Sequence, residues 1–178
     1  MFADPEKILK QIGLQDNMIV ADLGAGSGFY SIPAAEMTPN GKVYAIEVQK
    51  DFLITIKNKA NDTHLTNIEP IWGDIENIGG TKLKDEIIDR VIASNILFQV
   101  TNKQKFIDEA FRILKPEGKI LLIDWSDSPD SFSLKQNIIV NKNQAREMFE
   151  KKGFVYERDI DAGAHHYGMI LKKENNNI

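Results

Sequence analysis

Hydrophobic residues along the chain follow two different periods, and the segments that show them alternate. Short runs that are almost entirely apolar, such as 18–23 and 119–124, are typical of buried strands, whereas spacings of three and four residues are typical of helices on a core. Strands are predicted at 18–23, 43–47, 68–72, 87–94, 119–124, 155–160 and 166–172. Helices are predicted from residue 4 to the glycine at 13, and at 29–37, 51–61, 102–115 and 142–152.

The order of these segments predicts the fold class. Strands that alternate with helices are typical of an α/β protein, in which helices cover both faces of a mostly parallel sheet. The connection at about 161–165 is too short for a crossover helix, so the last two strands are expected to pair antiparallel. One domain is predicted over 1–173, with a surface loop at 124–141 and a disordered tail at 174–178.

Composition and charge narrow the possible functions. The chain has 178 residues, which fits one domain, and it has no cysteine, which excludes a disulfide scaffold, a cysteine nucleophile and a thiolate zinc site. The net charge is −4 and the lysines are dispersed, so the sequence does not show the clustered positive charge that is typical of nucleic-acid binding. No apolar run approaches the roughly 20 residues of a membrane span, and the first residues do not resemble a signal peptide. A cytoplasmic protein without membrane contact is expected.

The most informative stretch is the glycine-rich turn from Asp22 to Gly28, which lies between a predicted strand and a predicted helix. Glycines allow a tight turn and the close approach of a ligand to the main chain. The following helix presents free N–H groups and the positive end of its dipole. Glu47 ends the second strand, where a carboxylate can accept hydrogen bonds from both ribose hydroxyls of an adenosine. The turn therefore predicts an adenosine ligand, with a purely structural turn as the alternative.

The spacing of the glycines separates two kinds of adenosine ligand. The dinucleotide pattern Gly-x-Gly-x-x-Gly/Ala, started at Gly24, puts the bulky Phe29 where helix and strand must pack closely. Started at Gly26, the pattern ends on Ser31 and leaves Asp22 and Gly24 without a role. The pattern that uses every residue is Asp-x-Gly-x-Gly-x-Gly.

With this pattern the sequence resembles the class I S-adenosylmethionine-dependent methyltransferases, whose first motif reads Asp/Glu-x-Gly-x-Gly-x-Gly. The stretch Trp72-Gly73-Asp74-Ile75 and the segment at 106–118 also look like segments of this family. Within this family, the sequence most resembles the branch that includes the ubiquinone- and menaquinone-biosynthesis methyltransferases. The resemblance implies a Rossmann-like three-layer sandwich whose seven-stranded sheet has the order 3-2-1-4-5-7-6 with strand 7 reversed.

The resemblance also implies a binding site for S-adenosylmethionine and its product S-adenosylhomocysteine. According to this resemblance, Asp22 and two glycines would contact the methionine part of the cofactor, and Glu47 would contact the ribose. Asp74 and Ile75 would contact the adenine, and Asn95 would lie near the sulfonium. The implied cofactor-binding residues are Asp22, Gly24, Ala25, Gly26, Glu47, Val48, Asp74, Ile75 and Asn95. Asp74 could instead be a helix cap, and Asn95 a turn residue at the end of a strand.

Methyl transfer from a sulfonium is an in-line displacement, so alignment of the reactants contributes most and a base is needed only if the acceptor loses a proton. Asp124 and His166 are the candidate bases, although an Asp at a strand end can equally form a turn. No metal site is expected, because His165 and His166 are adjacent in a strand and point to opposite faces. The candidate acceptor wall, which could equally be ordinary packing, consists of Phe29, Tyr30, Phe98 and Trp125.

Other functions remain open at this level. A non-catalytic module that binds the cofactor or its product, or serves as a partner subunit, is the main alternative to an enzyme. A nicotinamide-dependent oxidoreductase fits the glycine spacing less well. The stretch 94–97 lacks the Asn/Asp-Pro-Pro-Tyr/Phe motif of methyltransferases acting on nucleobase amino groups, so a small-molecule acceptor is expected. The short lead-in predicts an open cleft, covered by the first helix, by residues 126–141 or by a second subunit in a homodimer.

Overall fold

The computed structural model of the chain describes residues 4–126 and 139–175. Within these residues, seven strands and five helices follow one another along the chain. The strands are β1 (Ile19–Leu23), β2 (Lys42–Glu47), β3 (Ile68–Trp72), β4 (Ile88–Ser94), β5 (Leu114–Trp125), β6 (Phe154–Ile160) and β7 (His166–Lys173). The helices are α1 (Pro5–Gln11), α2 (Ser31–Met37), α3 (Lys50–Asp62), α4 (Lys103–Ile113) and α5 (Lys142–Lys152).

All seven strands form one sheet with the order β3-β2-β1-β4-β5-β7-β6. The pairs from β3 to β5 are parallel, while β7 runs antiparallel to both of its neighbours. The sheet therefore confirms the predicted order, with one reversed strand. The register of β5 with β7 pairs Trp125 with His166 and Asp124 with Tyr167, so the start of β7 lies beside the end of β5.

The helices cover the sheet as two layers, because consecutive strand residues point to opposite faces. On one face, Phe106 of α4 and Phe149 of α5 pack on Ala21 and Leu122. On the other face, Leu9 of α1 and the start of α2 pack on the neighbouring residues, such as Val20 and Leu121. The helix α3 lies on this second side, over β2 and β3. The structure is the predicted three-layer sandwich.

Local sequence sets the ends of the helices. Asp4 caps α1 by accepting hydrogen bonds from two N–H groups of its first turn, and Pro5 begins the helix. Asn141 and Gln144 form a reciprocal capping box at the start of α5, which Gly153 ends in the left-handed conformation. These caps confirm the predicted starts of both helices.

Several predicted boundaries differ from the structure. The helix α4 ends at Ile113 rather than at residue 115, because Leu114 is extended and pairs with Ile88 of β4, and Pro116 disfavours helical backbone at Lys115. The strand β5 therefore begins at Leu114, but its pairing with β4 is interrupted at the predicted turn, where Glu117 has a positive φ, and resumes at Lys119. The helix α2 begins at Ser31 rather than at Phe29, because the chain is still turning at Gly28, whose φ is +84°.

Parts of some predictions lie outside the described residues. These are most of the loop predicted at 124–141 and the last three residues of the predicted tail. Asp124 and Trp125, which that loop was expected to include, belong to β5. None of the helices in the described ranges is long and apolar enough to cross a membrane.

Candidate active site at the carboxyl edge of the sheet

The candidate residues gather where the carboxyl ends of the parallel strands meet. Asp22, Glu47, Asn95 and Asp124 lie in or directly after the last residues of β1, β2, β4 and β5. The order of strands reverses between β1 and β4, which is the position where open α/β sheets bind ligands. The fold therefore brings to one edge side chains that are far apart in sequence.

The glycine-rich turn after β1 needs glycines for two different reasons. Gly24, Gly26 and Gly28 have φ values of +76°, +52° and +84°, a backbone region that side chains disfavour. At Gly24 a Cβ would also lie 2.5 Å from Cδ1 of Ile96, so this glycine is enclosed by the protein. At Gly26 a Cβ would meet no atom within 4 Å, so this glycine borders open space.

Glu47 joins the end of β2 to the glycine-rich turn. Its Oε2 accepts a hydrogen bond from the N–H of Gly26 at 2.9 Å. Its Oε1 accepts from the N–H groups of Val48 and Gln49, at 2.9 and 2.8 Å. The side chain is 6% exposed, whereas the neighbouring Val48 is largely exposed. One carboxylate thus fixes the turn and the strand end relative to each other.

Asp22 lies behind the turn, with 3% of its surface exposed. The hydroxyl of Ser31, the first residue of α2, donates to Asp22 Oδ2 at 2.5 Å. Burial raises the pKa of Asp22 to about 7, against the lowering effect of Ser31, and the nearby charge of Glu47 raises it further. Asp22 therefore connects β1 to the start of α2 and titrates near neutral pH.

The two aromatic residues after the turn have different surroundings. Phe29 is 49% exposed, while Tyr30 is buried in the core between the sheet and α1. Their rings meet edge to face, with centroids 5.1 Å apart. Burial raises the pKa of Tyr30 to about 12, against the lowering effect of Ser94 at the end of β4. Of this pair, Phe29 is the exposed residue.

The loop after β3 carries Asp74 and Ile75. Asp74 accepts hydrogen bonds from the N–H of Glu76 at 2.9 Å and from the side chain of Asn77 at 2.6 Å. It closes a turn rather than capping a helix, and the residue is exposed. Ile75 is buried, and its Cδ1 lies 3.9 Å from the position that a Cβ on Gly24 would take. This loop therefore touches the glycine-rich turn.

Asn95 follows β4 in the left-handed conformation, with φ of +55°. Its N–H donates to the carbonyl of Ile123 at 2.8 Å, and its carbonyl accepts from the side chain of Gln99 at 2.6 Å. Its side-chain oxygen Oδ1 is buried and has no hydrogen-bond partner among the residues that the structure describes. A buried acceptor of this kind calls for a donor or a positive charge from elsewhere.

Asp124 at the end of β5 is 1% exposed. Its carboxylate accepts hydrogen bonds from the N–H of Leu97 at 2.7 Å and of Trp125 at 2.8 Å, and the N–H of Ile96 lies near it. Burial raises its pKa to about 6, although these three donors lower it. The side chain thus holds the chain segment after β4 in place, and the role of Asp124 as a base stays a prediction.

Trp125 and His166 face each other across β5 and β7, with ring centroids 4.1 Å apart. His165 precedes the strand, with φ of +69°, and its carbonyl accepts from the N–H of Ser126. Phe98, after β4, is half-buried. In the described ranges no three His, Asp or Glu side chains form a group that could hold a metal ion.

Several contacts at this edge were not found by sequence reasoning. Ser31 donates to Asp22, Ser94 lies beside Tyr30, and Lys59 of α3 donates to the carbonyl of Ser27 at 2.8 Å. Only Ser31 has a sequence signal, as a small polar residue three positions after the last glycine of the turn. The other two contacts join residues distant in sequence, and no local pattern predicts them.

Comparison with known proteins agrees with this geometry. The profile of a family described as a methyltransferase domain matches residues 14–173. The structure superimposes on a solved S-adenosylmethionine-dependent methyltransferase from Aquifex aeolicus with a TM-score of 0.85 and 28% identity, covering 96% of this chain and 89% of that one.

Curated relatives carry similar names. A demethylmenaquinone methyltransferase of Geobacillus sp. is 27% identical over 122 residues, 68% of this chain and 51% of the relative. An arsenite methyltransferase of Halobacterium salinarum is 28% identical over 106 residues, 59% of this chain and 26% of the relative. The chain thus spans between a quarter and a half of these relatives, and other relatives are named for ribosomal RNA methylation. The chain belongs to the methyltransferase domain family, with the Rossmann-like fold and the S-adenosylmethionine cofactor that the sequence predicted.

Proposed function

We propose that this domain transfers the methyl group of S-adenosylmethionine to a small or medium-sized organic acceptor at the carboxyl edge of its sheet. The observation that carries the proposal is the hydrogen bond between Glu47 and the glycine-rich turn, which Glu47 Oε2 accepts from the N–H of Gly26 at 2.9 Å. This hydrogen bond lies at the carboxyl edge of the sheet, where the strand order reverses. Membership of the methyltransferase domain family supports the same reaction.

The residues at this edge fit the cofactor. The open space at Gly26 leaves room for a ligand against the main chain. The buried Oδ1 of Asn95, which has no partner among the described residues, complements a positive charge such as that of a sulfonium. When bound, S-adenosylmethionine supplies a methyl group that its sulfonium charge has already activated for displacement.

Each cofactor-binding residue then has a proposed task. Glu47 has about four lone-pair positions and uses three of them on N–H groups, so one is left for a ribose hydroxyl. Asp22, Gly24, Ala25 and Gly26 would shape the wall around the methionine part. The adenine would lie among Val48, Asp74 and Ile75, where Val48 offers an exposed apolar surface and Asp74 a carboxylate.

The acceptor side is proposed to use Phe29, Phe98 and Trp125 as apolar contacts. Phe29 is half-exposed at the start of the segment that follows the turn. Asp124 acts as a positioning residue, because its oxygens hold the segment carrying Asn95 and Phe98 through backbone N–H groups. If the acceptor loses a proton, His166 beside Trp125 is the proposed base.

The proposed acceptor is organic for reasons of chemistry. Soft inorganic ions are held best by thiolates, and this chain contains no cysteine to hold arsenite. The net charge of −4 does not favour binding to a polyanionic nucleic acid. A relative named for demethylmenaquinone supports an apolar organic acceptor, for which aromatic side chains are suitable.

The proposal is tested by following a labelled methyl group from S-adenosylmethionine. The purified protein is incubated separately with a deproteinised small-molecule cell extract, with arsenite and with ribosomal RNA. We expect label in an organic product of the extract. Label in RNA or arsenic alone would contradict the proposed acceptor class. If S-adenosylhomocysteine binds but no probe is methylated, the non-catalytic binding module becomes the better description.

A further inference from the structure

A buried glutamate on α4 joins this helix to the loop that carries Asp74. Glu109 has 0% exposure, which is unusual for a charged side chain. Its two oxygens accept five hydrogen bonds. Three come from the loop, namely from the N–H of Gly79 at 2.8 Å, the N–H of Thr81 at 3.1 Å and the hydroxyl of Thr81 at 2.6 Å. The other two come from Arg112.

Arg112 keeps this carboxylate charged. Its Nε and one terminal nitrogen bind both oxygens of Glu109, at 2.8 and 2.7 Å, and its other terminal nitrogen binds Asp85. Burial raises the pKa of Glu109, but the hydrogen bonds from Arg112 and Thr81 outweigh this effect and leave the pKa at about 2. Glu109 is therefore a fixed, ionised acceptor at every physiological pH.

The loop residues bound by Glu109 lie on both sides of Gly80, and Gly80 contacts Asp74. The carbonyl of Gly80 accepts from the N–H of Asp74 at 3.2 Å. A Cβ on Gly80 would lie 1.9 Å from the carbonyl oxygen of Asp74, so the two backbones are in direct contact. A displacement of Gly79 or Thr81 would therefore displace Asp74. Glu109 is thus connected to the proposed adenine site through two short steps.

A second carboxylate fixes the other side of the same loop. Glu76, two residues after Asp74, accepts from the N–H of Asn102 at 2.6 Å, directly before α4. Ile75 between them packs toward Gly24. The loop is therefore held from α4 at two places, and its buried side chain rests on the glycine-rich turn. Such a support is rigid enough to set the position of a ligand contact.

We propose that Glu109 is a positioning residue for the adenine of the cofactor, acting through Gly79, Thr81 and Gly80 on Asp74. This inference rests on the proposed function, because it assumes that Asp74 accepts a hydrogen bond from the adenine amino group. A buried ion pair by itself is weak evidence for stability. The three hydrogen bonds that Glu109 accepts from the loop give it a role that an apolar side chain could not fill.

The test compares Glu109→Gln with Asp108→Asn. Asp108 is the preceding residue of α4 and pairs with Lys152 of α5 at 2.7 Å, so this control removes a charge from the same helix without touching the loop. Calorimetry measures the affinity of the purified protein for S-adenosylhomocysteine and for S-inosylhomocysteine, in which an oxygen replaces the adenine amino group. The ratio of the two affinities reports the contact to Asp74, which general loss of stability would not change.

We expect Glu109→Gln to bind S-adenosylhomocysteine about tenfold more weakly, the size typical of networks that couple neighbouring sites. Its preference over S-inosylhomocysteine should shrink, while Asp108→Asn should keep both values. In an Asp74→Asn background, which removes the preference, Glu109→Gln should cause little further loss, because the two residues act on one contact. If Glu109→Gln fails to fold, Thr81→Val removes only the hydroxyl donor and should reduce the same preference by a smaller factor.

Folded Glu109→Gln or Thr81→Val protein with an unchanged affinity and preference would overturn the inference. An equal loss in Asp108→Asn would do the same. These failures differ from a failure of the proposed function. If the wild-type protein does not bind S-adenosylhomocysteine, the proposed function fails as well. If the wild type binds and Asp74→Asn loses the preference while Glu109→Gln keeps it, only the role of Glu109 is refuted.

Discussion

Asp22 and Glu47 are two acidic side chains of one site in opposite electrostatic environments. Glu47 accepts three backbone N–H groups, which compensate its charge at the end of β2. Asp22 is buried with Ser31 as its side-chain partner, and its pKa is raised to about 7. Backbone N–H groups thus hold Glu47 as a hydrogen-bond acceptor, whereas burial favours the protonated form of Asp22.

Replacing Glu47 tests the proposed contact to the ribose. In Glu47→Gln an NH₂ group replaces one of the two carboxylate oxygens and must face backbone N–H donors. The negative charge of the acceptor is lost as well. A hydrogen bond to a charged group contributes about 1.5–3 kcal/mol, so S-adenosylhomocysteine should bind at least about tenfold more weakly in calorimetry. Glu69→Gln is the matched control, because Glu69 only pairs with Lys42 on the surface of β3. Equal affinities of Glu47→Gln and wild type would refute the assignment.

The raised pKa of Asp22 predicts how stability depends on pH. The unfolded chain loses this proton near pH 3.8 and the folded chain near pH 7, so between these values only the folded state holds it. The contribution of Asp22 to the free energy of unfolding should therefore decrease as pH rises from about 4 to 7. Asp22→Asn should remove this contribution, and urea unfolding at several pH values measures it. Curves for wild type and variant that stay parallel through this window would contradict the raised pKa.

Residue identities at the site were partly predictable. Asp22, the three glycines and Glu47 follow from spacing relative to strands, because the backbone alone fixes where they lie. The support of Asp124 for the segment after β4 and the hold of Glu109 on the loop after β3 were not predictable. Both join residues that are more than 25 positions apart and depend on how the elements pack.

The glycine-rich turn and the loop after β3 act as one unit at the level of elements. Gly24 is enclosed by Ile96 and Ile75, while Gly26 faces open space. The two glycines have similar backbone conformations and opposite surroundings. Steric fit inside the protein therefore depends on Gly24, and room for the ligand depends on Gly26.

Alanine substitutions should separate these two tasks. Gly24→Ala adds a clash to the backbone strain and should lower the melting temperature strongly, because strained positions cost about 1–3 kcal/mol each before the clash is counted. Gly26→Ala should cost less stability but weaken S-adenosylhomocysteine binding. Gly13→Ala is the control for Gly26→Ala, since Gly13 also has positive φ, +68°, and open surroundings, but lies after α1. Equal affinities of Gly26→Ala and Gly13→Ala would contradict a ligand over Gly26.

Elements were predicted well because each has a local cause. Periodicity marks the strands, and Asp4, Asn141 and Gly153 mark helix ends. The boundary at α4 was missed because its apolar spacing continues to Leu114, although this residue is extended and pairs with Ile88 of β4. Apolar spacing cannot distinguish the last turn of a helix from the first residue of a buried strand.

At the scale of the whole molecule, the antiparallel pairing of β6 with β7 follows from a short connection, whereas the full sheet order was implied by the family resemblance. Pro70 lies in the edge strand β3, and Glu157, Arg158 and Asp159 lie exposed in the edge strand β6. Proline and charge at sheet edges discourage pairing with another chain. The homodimer, one of the possibilities that the sequence left open, stays a prediction, and these edges do not favour it.

We propose that the carboxyl edge of this sheet binds the adenosine cofactor of a methyltransferase. The most direct test of this proposal is calorimetric titration of the purified chain with S-adenosylhomocysteine, with NADH as the control ligand. We expect binding of micromolar order for the first ligand and none for the second, because the turn uses Asp22 and all three glycines. Binding of NADH, or of neither ligand, would contradict it.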